Sequence, residues 1–242
     1  MEENKEKSIE TLQKASLKSR LENFWYHYKW HTVITAFIVF VIALVSVQLI
    51  TKADYDVYVL YAGDHKISNL ASDGDLPEHQ RIVSSLGRVC DDRNGDGSID
   101  VNLQNLYVLS AEQRGALGSD NTSDLSLTLS DTKTFENMLV VGNYYLCFVS
   151  EEVFFETDAI YDGAIFEPLE KYATDESIDY EYASPRGIYL RSLPFSQFID
   201  LPDDTVVCLR ALNGYSAEIG KKQNTKSFAA GEAAMKKILT YK

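Results

Sequence analysis

Hydrophobic and polar positions follow three rhythms along this chain. From Val33 to Ile50 it reads VITAFIVFVIALVSVQLI, without one Asp, Glu, Lys, Arg or His. Eighteen helical residues at about 1.5 Å each reach roughly 27 Å, close to the hydrocarbon thickness of a bilayer. Residues 32–50 therefore predict a transmembrane helix. Beyond it, YDVYVLYA (55–62) reads as a strand. Asp75 and Glu78 form a D-x-x-E capping box, and Ile82, Val83, Leu86, Val89 and Cys90 recur at helical spacing. IDVNLQNLYVL then alternates at Ile99, Val101 and Leu103 and changes phase at Leu106 and Val108, which predicts a strand with a bulge near Gln104.

Ser130 is the expected N-cap of a helix through Phe135, Met138, Leu139 and Val141, stopped by Gly142. The unbroken apolar run YYLCFV that follows predicts a strand buried on both faces. Further strands are expected at GIYLRSL (187–193) and TVVCLRAL (205–212). A closing helix near 226–240 would set Phe228, Gly231, Met235, Ile238 and Leu239 on one face. Between Glu151 and Arg186 the pattern is weaker and reads as short helices and loops. The β-α-β-α-β order predicts an α/β fold: a mainly parallel sheet with flanking helices and right-handed crossovers, preceded by one transmembrane helix.

Charge gives the span a direction. Lys5, Lys7, Lys14, Lys18, Arg20 and Lys29 precede it, whereas Lys52 and Lys66 are the nearby basic residues after it. The positive-inside rule puts the N-terminus in the cytoplasm. Phe24, Trp25, Tyr26, Tyr28 and Trp30 stand just before the apolar run, where amphipathic rings favour the headgroup region. The expected organisation is a cytoplasmic juxtamembrane segment (1–31), the span (32–50) and an extracytoplasmic domain (51–242) entered through the linker TKAD. A cleaved signal peptide competes with this reading, with Thr51 and Ala53 as a poor cleavage site. The long aromatic leader and the length of the apolar stretch both exceed the usual signal layout.

The chain carries a formal net charge of −13, and its acidic excess lies beyond residue 31. Such a surface disfavours nucleic acid and suits solubility, cations or basic partners. Of the three cysteines, Cys147 and Cys208 sit in strand-like apolar runs, where cysteine behaves as a small hydrophobe. Buried free thiols are expected in preference to a disulfide framework.

One motif carries chemistry. In DDRNGDGSID, Asp92, Asn94, Asp96, Gly97, Ile99 and Asp100 fall at positions 1, 3, 5, 6, 8 and 9 of a loop that resembles the EF-hand and dockerin-type calcium loops. Alternate oxygen-bearing side chains converge on a hard cation, Gly97 permits the sharp turn, and the Ser98 carbonyl can supply a further oxygen. The ligand set is Asp92, Asn94, Asp96, Ser98 and Asp100, within a loop at 92–103, and Ca²⁺ suits it better than zinc or copper. Ile99 is expected to pack inward. Leu103 stands where the usual bidentate carboxylate would be, so a distant carboxylate or water must complete the site. Affinity is then expected in the range of about 10⁻⁴ to 10⁻³ M, as in extracellular modules. The competing reading is a hydrated Asp/Asn/Gly turn.

Catalytic constellations are sparse. Beyond residue 31 the histidines are His65 and His79, and neither G-x-S-x-G nor H-E-x-x-H occurs. Ser130-x-x-Lys133 and Ser119-Asp120-Asn121 match two fragments of the penicillin-binding set in reversed order, without K-T-G. Cys208 and Arg210 superficially resemble the Cys and Arg of sortases, but no His lies between His79 and Cys208, so Cys208 reads as core. Glu151 with Glu152 and Asp203 with Asp204 are carboxylate pairs that acidic loops also explain.

The stretch from DYDVYVLYAG through the calcium-type loop to KTFENMLVVGNYYLCFVSEEVFF resembles one lobe of an extracellular solute-binding protein. That resemblance covers about a third of the chain and implies a ligand cleft at the C-terminal end of the YYLCFV strand. It lacks the second lobe that a solute trap needs. The expectation is a membrane-anchored binding or accessory module facing a cell-surface protein or glycan. The alternative is a carboxylate-dependent extracytoplasmic hydrolase of cell-wall or sugar substrates.

Overall fold

A computed structural model describes residues 22, 24–46, 55–71, 75–117, 121–212, 218 and 220–241. The chain divides into two units, Met1–Ala53 and Asp54–Lys242. In the first, helix α1 (Phe24–Ser46) is long and apolar enough to cross a membrane, with a mean hydropathy of 1.8 and none of its apolar window buried by protein. A helix of this kind near an N-terminus fits a membrane span or a signal sequence alike. It takes in the aromatic cluster from Phe24 to Trp30. Residues 47–50 of the expected span, the linker 51–54 and the basic segment 1–21 lie outside the described residues.

The second unit runs β1 (Val57–Gly63), α2 (Glu78–Gly87), β2 (Val101–Tyr107), α3 (Ala111–Ala116), α4 (Thr122–Val141), β3 (Leu146–Ser150), α5 (Glu151–Ile160), β4 (Tyr182–Ser184), β5 (Gly187–Tyr189), β6 (Thr205–Leu209) and α6 (Lys221–Leu239). Two 3₁₀ segments, Leu190–Ser192 and Pro194–Phe198, join β5 to β6. The strands form one sheet in the order β2-β1-β3-β6-β5-β4. β1 pairs in parallel with both β2 and β3, whereas β3–β6, β6–β5 and β5–β4 are antiparallel.

The sheet is thus mixed, not mainly parallel. Its first half is wound as the β-α-β-α-β pattern requires. In its second half the two-residue turn Pro185–Arg186 makes β4 and β5 a hairpin, and β5 returns to β6 through 3₁₀ turns without a crossover helix. Short connections of this kind enforce antiparallel pairing.

Both sheet faces are covered. One core gathers Val59, Tyr61, Leu103, Leu146, Phe148 and Val207 against Ile82 and Leu86 of α2 and Met235 and Ile238 of α6. The other gathers Leu60, Leu106, Cys147, Val149 and Cys208 against Phe135 and Leu139 of α4 and Val153 and Phe154 of α5. This is why YYLCFV is apolar at successive positions. It also explains the phase change in β2: Val101 and Leu103 serve one core and Leu106 and Val108 the other. The expected bulge at Gln104 is absent, because β2 holds a continuous register with β1 from Val57–Val101 to Gly63–Tyr107.

Three helix boundaries differ from expectation. The N-cap of α2 is Pro77, and Glu78 accepts from the Ser68 backbone N–H and bonds the His65 ring instead of closing a capping box with Asp75. α4 begins at Thr122, eight residues ahead of Ser130, while Gly142 ends it as predicted. α6 begins at Lys221 and buries Gly231, Met235, Ile238 and Leu239. All three cysteines are free and buried.

Candidate functional site

The calcium-type loop lies at the amino end of the parallel strands, between α2 and β2. Its turns are built by its own side chains. The Asp92 carboxylate accepts from the backbone N–H of Gly95 (2.6 Å) and of Gly97 (2.9 Å). Asn94 Oδ1 accepts from Asp96 N, and Asp96 Oδ1 accepts from Ser98 N and Ser98 Oγ. Gly95 and Gly97 have φ of 77° and 86°, a left-handed backbone that glycine adopts at least cost. The Ser98 hydroxyl, then its backbone N–H, holds the Asp96 carboxyl below the usual range.

The loop is tied to the fold by Asp56, the residue just before β1. Asp56 is buried, and its carboxylate accepts from Arg93 N (2.7 Å), Asn94 N (3.1 Å) and Asp100 N (2.9 Å). Asp56 N donates in return to the Asp100 carbonyl (2.9 Å). Sequence reasoning missed Asp56, because nothing local to 92–103 points to a carboxylate 37 residues upstream of Arg93. Its oxygens answer backbone N–H groups, so it braces the loop from behind.

Two expectations at the loop need correcting or sharpening. Ile99 is 43% exposed and does not pack inward; Asp56 does the anchoring instead. Among the described residues, no three His, Cys, Asp or Glu side chains form a group that could hold a metal. The structure bonds Asn94, Asp96 and Ser98 to one another, joins Asp100 to them through the Ser98 hydroxyl at 3.3 Å, and sets Asp92 on the Gly95 and Gly97 N–H groups between them.

The opposite, carboxyl end of β1 and β3 is a second place of interest. Strand order 2-1-3 reverses there, with α2 on one face and α4 on the other, and open α/β sheets bind ligands outside such a reversal. Gly63, Ser150 and Thr205 end or begin three adjacent strands. A Cβ on Gly63 would stand 2.8 Å from Tyr61 Oη and 3.1 Å from Ser150 Cβ, and Ser150 pairs with Thr205. The hydroxyls of Ser150 and Thr205 are buried and have no hydrogen-bond partner among the described residues.

The residues one step outward along these strands are Asp64, Glu151 and Asp204. Burial, then the Asp64 and Glu151 carboxylates, raises the Asp204 carboxyl above its usual range, with Arg191 pulling the other way. Burial, then Asp64, likewise raises the Tyr61 phenol, against the His65 backbone N–H. Tyr189 Oη donates to Glu151 at 2.7 Å, and burial with that carboxylate lifts the phenol to about 12. Arg191 pairs with Glu181 and lies 3.9 Å from the centre of the Tyr189 ring. Each predicted carboxylate pair thus contributes one member here, Glu151 and Asp204.

The other sequence candidates have structural roles. Cys208 is fully buried beside Cys147, its thiol pushed up by burial. Arg210 donates to the Met138, Leu139 and Gly142 carbonyls at the end of α4. His79 bonds the Leu103 carbonyl at 3.2 Å. Ser130 lies exposed on α4, and Ser119-Asp120 falls outside the described residues. Comparison with protein families, curated proteins and solved structures returns no match for this chain.

Proposed function

We propose that this protein is a single-pass membrane protein with a cytoplasmic N-terminus, whose α/β domain lies outside the membrane as a binding or accessory module. A calcium ion held by Asp92, Asn94, Asp96, Ser98 and Asp100 stabilises that domain. The observation that carries the calcium reading is the Asp92–Asp100 loop itself, with oxygen-bearing residues at alternate positions and its backbone fastened to buried Asp56. Each carboxylate that accepts an N–H keeps lone pairs for a hard cation, and Asn94 with the Ser98 carbonyl adds neutral oxygens. The strand β2 follows the loop where an EF-hand has a second helix, so the ion acts as a brace and drives no sensor-type opening.

The anchor reading rests on α1, whose apolar window is unburied among the described residues, and on the basic residues ahead of it. The strongly acidic domain favours a basic partner, a cell-surface protein or a glycan over nucleic acid. Calcium at ten times its dissociation constant adds about 1.4 kcal/mol. For a domain of this size that is a rise in Tm of roughly 3–6 °C. The test is a thermal melt of the full chain in detergent with calcium, with magnesium, and with neither. Calcium should raise Tm more than magnesium does, and Asp96→Ala should remove the difference. An equal response of Asp96→Ala and wild type overturns the assignment.

One observation favours a second reading, a carboxylate-dependent hydrolase. Burial, then the Asp64 and Glu151 carboxylates, raises the Asp204 carboxyl above its usual range, the direction a general acid needs. Turnover of a cell-wall fragment or glycoside that Asp204→Asn abolishes would establish it.

A further inference from the structure

We propose that Cys147 and Cys208 are a disulfide-forming pair, joined when the domain folds in the presence of a disulfide oxidant, while Cys90 stays a thiol. This goes beyond the binding-module reading and uses one part of it, the placement of the domain outside the cytoplasm, where such oxidants act. In the structure all three are free thiols.

Register brings the pair together. β3 and β6 run antiparallel with Cys147 directly opposite Cys208. Two residues along, Arg210 N donates to the Tyr145 carbonyl at 2.7 Å, and hydrogen-bonded pairs recur at every second residue of an antiparallel ladder. Cys147 and Cys208 are therefore such a pair, with Cα atoms about 5.5 Å apart. Disulfides span Cα separations of about 4.4–6.8 Å. Opposed Cβ atoms stand about 4.5–5.5 Å apart and a disulfide takes about 3.5–4.5 Å, so closure draws the two side chains together by about 1 Å.

The sheet also excludes the other pairings. Cys147 and Cys208 belong to the core that holds Leu60, Val149 and Val206. Cys90 belongs to the core on the opposite face, with Ile82 and Leu86. Of the linkages that the chain's cysteines allow, the folded sheet permits one.

Burial sets the timing. Cys147 and Cys208 are each 0% exposed, and burial, then the Cys147 thiol, holds the Cys208 thiol well above its usual range. A thiol that is neither ionised nor accessible does not attack an oxidant. Exchange therefore takes place as β3 and β6 come together, before the core closes over them, and the finished bond is shielded from reductants. One cysteine thiolate attacks a sulfur of oxidised glutathione, expelling a glutathione thiolate and leaving a mixed disulfide. The second cysteine attacks the protein sulfur of that bond and expels the other glutathione thiolate. The cysteine sulfurs give up two electrons to the oxidant, and their two protons end on the released thiols. The bond encloses residues 148–207 and ties the parallel half of the sheet to the antiparallel half at the strand where they meet.

The full chain in detergent is reduced and unfolded in urea, then refolded to the circular dichroism of the untreated chain in a mixture of oxidised and reduced glutathione. A second sample meets the same mixture with the urea retained. Remaining thiols are alkylated in denaturant and the peptides mapped by mass spectrometry. Refolded wild type should carry one alkyl group, at Cys90, and a peptide pair linked through Cys147 and Cys208. The sample kept in urea, where no strand pairing selects, should give every linkage. Cys147→Ser should leave Cys90 and Cys208 as thiols, because the sheet parts them. Alkylation of all three cysteines in the refolded wild type overturns the proposal, as does a spread of linkages matching that in urea. Chain whose thiols are trapped at cell lysis separates the two ideas: a pair that links on refolding but is recovered from cells as thiols removes the placement outside the cytoplasm and leaves the pair standing.

Discussion

Arg210 carries the largest single stability prediction. It is fully buried just beyond β6, and among the described residues its guanidinium pairs with carbonyls and no carboxylate. Instead Nη1 donates to the carbonyls of Met138 (2.7 Å) and Leu139 (2.8 Å), and Nη2 to that of Gly142 (2.6 Å). Met138 and Leu139 lie in the last turn of α4 and Gly142 is its C-cap, where carbonyls run short of helical partners and the helix dipole favours a cation. The guanidinium also lies 4.1 Å from the centre of the Tyr145 ring. Burial itself works against the charge and lowers the Arg210 pKa. The net value of the group is therefore less than the sum of its bonds. Removal is another matter, since Met138 O keeps the Gly142 N–H but Arg210→Ala takes the side-chain donor from the Leu139 and Gly142 carbonyls and opens a cavity.

An unanswered buried acceptor costs about 1–3 kcal/mol, and truncating a large buried side chain to alanine about 2–5 kcal/mol. Arg210→Ala should therefore destabilise the domain by about 3–5 kcal/mol. Arg210→Lys keeps the charge but loses the planar fork that reaches three carbonyls, and should fall between it and wild type. Arg191→Ala is the control: its partner Glu181 is exposed, and exposed pairs are worth about 0–1 kcal/mol. Urea denaturation at unchanged m reads the three differences, and amide exchange at Met138–Gly142 locates them. If Arg210→Ala lies within about 1 kcal/mol of Arg191→Ala, the account of Arg210 as the cap of α4 is wrong.

Two further predictions address the two ends of the sheet. Asp56→Ala removes the acceptor of three backbone N–H groups and should cost about 2–4 kcal/mol, since part of the loop can rehydrate; it should also abolish the calcium-dependent rise in Tm, and a full calcium response in this variant would show that the brace is dispensable. Asp204 has a folded-state pKa above its unfolded value, so the stability linked to its protonated form is present below the unfolded pKa and is lost as pH rises through the folded one. Asp204→Asn should melt higher than wild type at pH 7 and lose that advantage below about pH 3.9, and an equal Tm at both pH values would refute the reading that burial, with Asp64 and Glu151 nearby, disfavours the Asp204 carboxylate.

Much of the parallel half was legible in the chain because its signals are local and agree. The apolar run of β3 announces burial on both faces, and Gly142 stops α4 where its backbone turns extended. The antiparallel half was illegible for a physical reason. Strand direction depends on how the connection returns, and Gly187–Tyr189 is too short to carry a pattern of its own. The start of α4 was missed because Leu125, Leu127 and Leu129 stay exposed, so the helix extends beyond the amphipathic stripe that signals it. The phase change in β2 was read as a bulge when it records a strand with a different core on each face.

The sites divide along the same line. Every residue of the loop proposed to hold calcium lies within one short segment, so spacing alone suggests it, whereas the fastening Asp56 is remote in sequence and visible only after β1 and β2 pair. The carboxylates at the other end share no segment at all: Asp64, Glu151 and Asp204 meet because β1, β3 and β6 are neighbours, and that adjacency depends on the antiparallel return the sequence does not announce. The sheet thereby separates two tasks. At its amino end, polar groups are satisfied by one another and rigidify the entry of the chain into the domain. At its carboxyl end, burial with the nearby Asp64 and Glu151 carboxylates works against the ionised Asp204. Stability data should follow the same division, with substitutions at Asp56 costing stability and substitutions at Asp204 gaining it.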